Sequence, residues 1–269
     1  MQTRRPLPRL AFGPLRVERG MRDLPEEVAV ALSYNGSTQA VMMATPDALV
    51  DFAYGFSLTE GIASPSEIEG VEVVETPRGI DVQIWLVPEA ETRLAKRRRT
   101  MAGPVGCGLC GIDSLEEALR ELPPVAADLS LTPSQICAAM AALTEHQPLH
   151  DVTRAVHAAA FWTPERGIVA AREDVGRHNA LDKLAGAMLL GGVPPQGALV
   201  LTSRVSIDMV QKCAAMGVPV LIAVSAPTAH AVEIAEAAGI TLIALARPDR
   251  FEVFTQLQRI RPDETAHVA

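Results

Sequence analysis

The sequence predicts an α/β protein in two parts: a smaller α+β N-terminal domain over residues 1–127 and a C-terminal α/β domain over residues 128–269. Three observations carry this reading. In the second half, continuous apolar runs ("GALVLTS", "VPVLIAVSA", "ITLIALAR") alternate with helical stretches, the pattern of βαβ units on a sheet covered on both faces. The first half instead shows β-rich runs around turn residues, most clearly at Asn35-Gly36. Between the halves, "ELPPVAADLSLTPS" gathers Pro123, Pro124 and Pro133 in one short stretch, and the boundary is placed there.

The elements follow in order. The first twenty residues are rich in Pro and Arg, lack a period, and read as a loose arm. "EEVAVALSYNGSTQAVMMAT" reads as a hairpin turning at Asn35-Gly36. "TPDALVDFAYGFSLTEG" reads as a helix with Thr45 as N-cap, Pro46 at the first position and Gly61 as terminator. "EVVETPRGIDVQIWLV" is a second hairpin around Pro77 and Gly79. "PEAETRLAKRRR" is a short helix whose acids come first and bases last, as the macrodipole favours. Residues 100–113 hold four glycines and a proline, which predicts a mobile loop. A helix then starts at Asp113 or Ser114, with Ser114 and Glu117 as a capping box.

Beyond the boundary, a helix capped by Thr132 precedes the hairpin "RAVHAAAFWTPERGIVAARED". "GRHNALDKLAGAMLLG" is a helix with Asp174 as N-cap. The remainder alternates strand and helix up to Arg247.

Composition narrows the classes of function. The chain is 48% hydrophobic and 21% charged, enough apolar mass for a packed core. Only 4% is aromatic and the formal charge is -8, which argues against a nucleic-acid binder. No apolar run is long enough to span a bilayer. Arg4-Arg5 is followed by prolines and Arg9 where a signal needs an apolar stretch, so a cytoplasmic protein is expected.

Two strand-to-helix junctions, Thr202-Ser203-Arg204 and Ser225-Ala226-Pro227-Thr228, place hydroxyls and an arginine where a helix N-terminus favours phosphate; plain capping explains the hydroxyls equally well. "AREDVGRHNALDKLAG" crowds Arg172, Glu173, Asp174, Arg177, His178, Asn179, Asp182 and Lys183 at a strand end, either a solvated helix start or a site. At helical spacing His178 faces Asp182, and Asn179 faces Lys183. His157 reads as a core histidine.

Four cysteines are present. Cys137 and Cys213 sit in apolar helical patterns and read as core. Cys107 and Cys110 form a Cys-x-x-Cys. Structural zinc needs four ligands, and no second pair of the right spacing follows, so no metal is expected. A dithiol redox centre usually follows a strand, whereas a loop precedes this pair. The third option is a thiolate nucleophile or sulfur carrier, favoured by Arg97, Arg98 and Arg99 upstream and a helix start downstream.

"GCGLCG" (106–111), "REDVGRHNALDKLAG" (172–186) and the block from Thr202 to Arg247 together resemble the formate dehydrogenase accessory sulfurtransferase family, FdhD. The resemblance runs from the Asn35-Gly36 hairpin to Phe254, and its two long segments are specific where the cysteine pair alone is weak. It implies a sulfurtransferase that takes persulfide sulfur from a cysteine desulfurase. The acceptor is the molybdenum bis(molybdopterin guanine dinucleotide) cofactor that formate dehydrogenase requires. Cys107 would be the carrier and Cys110 would assist. The cofactor would bind the C-terminal domain, with Phe251, Glu252, Val253, Phe254, Thr255 and Gln256 matching the family's cofactor segment. Ser203, Arg204 and His178 are further candidates. A homodimer and a three-layer C-terminal domain similar to the cytidine deaminase fold are implied as well. One departure is visible: Thr153-Arg154-Ala155-Val156-His157 stands where the family commonly has Thr-Gly-Gly-Val-His. Deamination itself is excluded by pattern. His230 is one residue too far from Glu233, and Gly106 rather than Pro precedes Cys107. The competing readings are a cofactor chaperone without sulfur chemistry and a dithiol oxidoreductase.

Overall fold

The computed structural model describes residues 1–100, 122, 124–126 and 129–263. The cysteine loop beyond Thr100, with Cys107 and Cys110, and the helix start at Ser114 lie outside the described residues.

The loose arm expected at the N-terminus is instead an antiparallel ribbon of β1 (Arg4–Phe12) and β2 (Val17–Pro25), in register from Arg4↔Pro25 to Phe12↔Val17. Each strand of a two-stranded ribbon has one free edge, so Pro6 and Pro8 need not break it. β3 (Val28–Tyr34) and β4 (Ser37–Ala44) form the expected hairpin, with Asn35 and Gly36 at φ 46° and 77°, the left-handed pair of a type I′ turn.

The helix α1 (Leu49–Thr59) starts later than expected, with Ala48 as N-cap at φ 50°. Thr45 has a long-range role instead. Its N–H donates to Asp174 Oδ2 at 3.0 Å and its Oγ1 accepts from the Val175 N–H at 3.2 Å. Gly61, at φ 64°, ends the helix as expected. β5 (Ile68–Thr76), β6 (Gly79–Leu86) and α2 (Pro88–Thr100) complete this half. Its sheet has the order β4-β3-β6-β5 and packs Val30, Leu32, Val82 and Ile84 against Phe52 and Phe56 of α1.

The second half opens with α3 (Pro133–Leu143). Its N-cap Thr132 accepts from the Gln135 N–H while Gln135 Oε1 accepts from the Thr132 N–H, a reciprocal capping box. Next come α4 (Pro148–Thr153), β7 (His157–Thr163), β8 (Gly167–Asp174), α5 (Arg177–Leu190), β9 (Ala198–Leu201) and α6 (Ile207–Ala215). β10 (Val220–Ala223), α7 (Ala229–Ala237), β11 (Thr241–Arg247) and β12 (Arg250–Val253) follow. The sheet order is β12-β11-β10-β9-β7-β8. Only β9, β10 and β11 are mutually parallel; β7 inserts antiparallel between β8 and β9, so the sheet is mixed.

Period-2 alternation assigns the strand side chains to two cores. Ala159, Phe161, Leu199, Leu201 and Leu221 face α5, α6 and α7, while Ala158, Ala160, Val200, Val220 and Ile222 face α3. The result is a helix–sheet–helix stack. Cys213 is buried in the first of these cores, as expected, whereas Cys137 is only half-buried on α3.

The halves meet where α1 crosses α5. A Cβ on Gly55 would fall 1.7 Å from the Asp182 carbonyl oxygen, and one on Gly186 would fall 1.8 Å from that of Asp51. Only glycine permits so close a backbone approach.

Candidate functional site

Helices α5, α6 and α7 start at one end of the sheet, where β8, β9 and β10 finish. They cross the sheet in one direction, so strand order never reverses and no switch-point crevice arises there. Of the junction hydroxyls, Thr228 caps its helix, whereas Thr202 is bonded to strand β7. Thr228 Oγ1 accepts from the Ala231 N–H at 3.3 Å, and Thr202 Oγ1 accepts from the Ala158 N–H at 2.9 Å. The two loops are joined by Val205, whose N–H donates to the Ala226 carbonyl and whose carbonyl accepts from the Thr228 N–H.

The charged segment resolves into three groups. Asp174 is not the N-cap of α5; Gly176 is. Asp174 is fully buried and accepts from Lys183 Nζ (2.6 Å), Gly176 N–H (2.7 Å), Asn179 Nδ2 (3.0 Å) and Thr45 N–H (3.0 Å). Burial lowers the Lys183 ammonium, against the pull of Asp174.

Asp182 belongs to a second group. It accepts from Lys212 Nζ at 2.8 Å and from Thr59 Oγ1 at 2.6 Å, and Lys212 reaches on to Glu60 at 2.6 Å. Burial pushes the Asp182 carboxyl up to about 6, with Lys212 opposing. Burial also acts to lower Lys212, but Asp182 and Glu60 outweigh it and hold the ammonium charged.

His178 does not pair with Asp182, its helical neighbour; its Nδ1 lies 2.6 Å from Asp208 Oδ2 on α6. Close as the two atoms are, Asp208 Oδ2 has no hydrogen-bond partner among the described residues. Burial lowers the imidazole to about 4, opposed by Asp208 and reinforced by Arg177 and Lys212.

Arg177 Nε and Ser206 Oγ, at the starts of α5 and α6, are likewise buried without partners. With Asn179 Oδ1, also buried without a partner, these unpaired polar atoms sit at the starts of α5 and α6, as His178 does. Ser206, Asp208 and Lys212 escaped the sequence reading. The signal for two of them was an Asp and a Lys four apart in a largely apolar helix, which places both on one face.

Ser203 and Arg204 lie at this same end, Ser203 buried and donating to the Arg204 carbonyl at 3.1 Å, Arg204 exposed. The segment from Phe251 to Gln256 runs away from it. Phe251, Glu252 and Val253 form most of edge strand β12, with Phe251 and Val253 against the α3-side core, Phe254 on the opposite core and Glu252 exposed. Thr255 Oγ1 donates to the Ile240 carbonyl (2.6 Å) and accepts from the Leu242 N–H (2.8 Å). Gln256 Nε2 donates to Glu236 Oε1 at 2.9 Å. Both sit at the far end of β11, with their polar groups engaged in the fold. His157 is half-buried, and burial lowers its imidazole. Cys107 and Cys110 lie outside the described residues.

Comparison with known proteins agrees with this architecture and extends it. The FdhD/NarQ family model matches residues 25–261. A sulfur carrier protein FdhD of Agrobacterium fabrum is 57% identical over 244 residues, 90% of each chain. One of Brucella abortus is 51% identical over 246 residues, covering 90% of this chain and 91% of the relative. A crystal structure assigned to a formate dehydrogenase accessory protein of Desulfotalea psychrophila superposes with a TM-score of 0.77 at 27% identity, over 97% of this chain and 100% of that one. With a family match spanning most of its length and relatives sharing half or more of its residues, this chain belongs to the FdhD/NarQ family.

Proposed function

We infer that this protein is a sulfur carrier in formate dehydrogenase maturation. The observation that carries the reading is the 57% identity, over nine-tenths of both chains, to a sulfur carrier protein. The Cys107-x-x-Cys110 pair supplies the chemistry. In the relay, the Cys107 thiolate attacks the outer sulfur of a cysteine desulfurase persulfide. The donor S–S bond breaks, the desulfurase thiolate leaves, and a persulfide remains on Cys107. In the second transfer, assisted by Cys110, that terminal sulfur would pass to the molybdenum bis(molybdopterin guanine dinucleotide) cofactor as a sulfide-level ligand, the reduced metal of the acceptor supplying the two electrons, and Cys107 would leave as thiolate.

The cofactor is cargo here. Arg177 Nε and Ser206 Oγ offer it donors and Asp208 Oδ2 an acceptor, and a neutral His178 adds no charge of its own. A reducing, cytoplasmic setting keeps both thiols available. Among the described residues no helix is long and apolar enough to cross a membrane. A homodimeric assembly completes the proposal.

The test is mass spectrometry after incubation with a cysteine desulfurase and cysteine. A sulfur adduct on the Cys107 peptide is expected, and Cys107→Ala should leave formate dehydrogenase at background activity in a dependent host. Full activity of that variant would favour a cofactor chaperone. An intramolecular disulfide without an adduct would favour a dithiol oxidoreductase.

A further inference from the structure

The edge of the six-stranded sheet nearest the N-terminal half carries a groove whose lining does not include His178, Ser206 or Asp208. β8 is the last strand of that sheet, so only one of its edges is paired. In β7, both backbone groups of Ala158 turn toward the β9 side. Its N–H donates to Thr202 Oγ1 at 2.9 Å, and its carbonyl accepts from the Thr202 N–H at 3.1 Å. Ala158 and Glu173 are therefore a non-hydrogen-bonded pair, and so, two residues on, are Ala160 and Ala171. The backbone groups of Ala171 and Glu173 thus point outward, away from β7. The Ala171 carbonyl is covered by the guanidinium of Arg172 at 2.8 Å.

A cavity of about 970 Å³ runs along this edge, lined by Ile168–Glu173 on one side and by the turn before α1 and the start of α4 on the other. Six strand residues span about 20 Å at roughly 3.3 Å each, the footprint of an extended peptide rather than of a compact metabolite. Ile168, Val169, Leu149 and Val152 give the groove apolar wall.

Its charge is biased. Asp51 is matched by Arg172 at 2.7 Å, and Arg4 is held by Asp23 at 3.0 Å. Asp47, Glu145 and Glu173 line the groove with no ion-pair partner among the described residues. Glu173 accepts from the Leu149 and His150 N–H groups at 2.8 and 2.7 Å, which satisfies its oxygens without cancelling its charge.

We propose that the outer edge of β8 is a docking site for an extended segment of a partner polypeptide whose side chains alternate between apolar and basic. The segment adds a strand to the sheet through the outward groups of Ala171 and Glu173 and displaces Arg172 from the Ala171 carbonyl. Its apolar side chains meet the groove wall and its basic ones meet Asp47, Glu145 and Glu173. Until then Arg172 and the irregular register beside Val169 shield the edge from indiscriminate pairing. The inference stands independently of the sulfur-carrier reading.

The test uses the full chain and a fluorescein-labelled decapeptide of alternating valine and lysine, followed by anisotropy. Saturable binding is expected, weakened more than about tenfold when glutamate replaces lysine in the peptide. Ala171→Pro deletes only an outward N–H, which an edge strand tolerates, and should weaken binding more than about tenfold with an unchanged thermal melt. The double variant Asp47→Lys/Glu145→Lys should do the same without touching β8. Absence of saturable binding, or equal binding by the parent and both variants, overturns the proposal. So does conversion of a dimer to a monomer by Ala171→Pro, since a second copy would then occupy the edge.

Discussion

Two buried lysine–aspartate pairs lie between α1 and the helices of the second half, and they differ in how they end. Lys183 and Asp174 are both 0% exposed, and every contact of that pair is made within the fold, to Thr45, Gly176 and Asn179. Lys212 and Asp182 are as deep, but their chain continues to Glu60, which is 33% exposed, and adjoins the unsatisfied Asp208 carboxylate. A closed polar network joins parts of a fold. An open one with unmatched atoms can receive a ligand.

The comparison is broken most severely at the closed pair. Lys183→Met leaves the fully buried Asp174 without its cation, and should cost about 3–5 kcal/mol in urea unfolding. Lys212→Met should cost less, because Asp182, already held up to about 6, takes a proton instead of remaining an unpaired charge. Equal losses would mean that the two networks are energetically alike.

A pH series sharpens the difference. His178 is lowered to about 4 in the fold, so between pH 6.5 and about 4 the unfolded chain binds a proton that the folded one refuses. Its contribution is fully present above pH 6.5 and is lost as pH falls toward 4, by up to about 3 kcal/mol. Asp182, raised to about 6, acts oppositely: it favours the fold at low pH and less so as pH rises through 6. The histidine effect is therefore read as the difference between His178→Gln and the parent across that range. A constant difference from pH 4 to 7 would show that His178 is not a buried neutral group.

The smallest effect concerns a departure already visible in the sequence. Arg154, one of the two residues standing where the resemblance leads one to expect glycines, ends α4 at φ 58°. Its ion pair with Asp151, at 3.5 Å between exposed side chains, contributes little. Arg154→Gly should raise stability by roughly 1 kcal/mol or less, read as a small upward shift in melting temperature.

What was legible depended on how local the cause was. Asn35-Gly36 and the Thr132 box act over a few residues, and both were read correctly. The ribbon was missed because Pro6, Pro8 and scattered arginines hide alternation in strands that bury little. Thr45 and Asp174 were read as caps because capping is the local use of their side chains. Their actual partners lie about 130 residues apart in sequence, beyond any periodicity. The same distance hid the site. His178 stood out within a crowded segment, but Asp208, Ser206 and Lys212 became its neighbours only through the packing of α5 on α6.

The glycine crossing has a mechanical consequence. Where α1 and α5 touch through backbone atoms, no side chain can yield to absorb a displacement. The spacing of Glu60, at the end of α1, and His178, at the start of α5, is therefore set by main-chain geometry, like a joint machined without clearance. A pull on the N-terminal half would reach the first turn of α5 undamped.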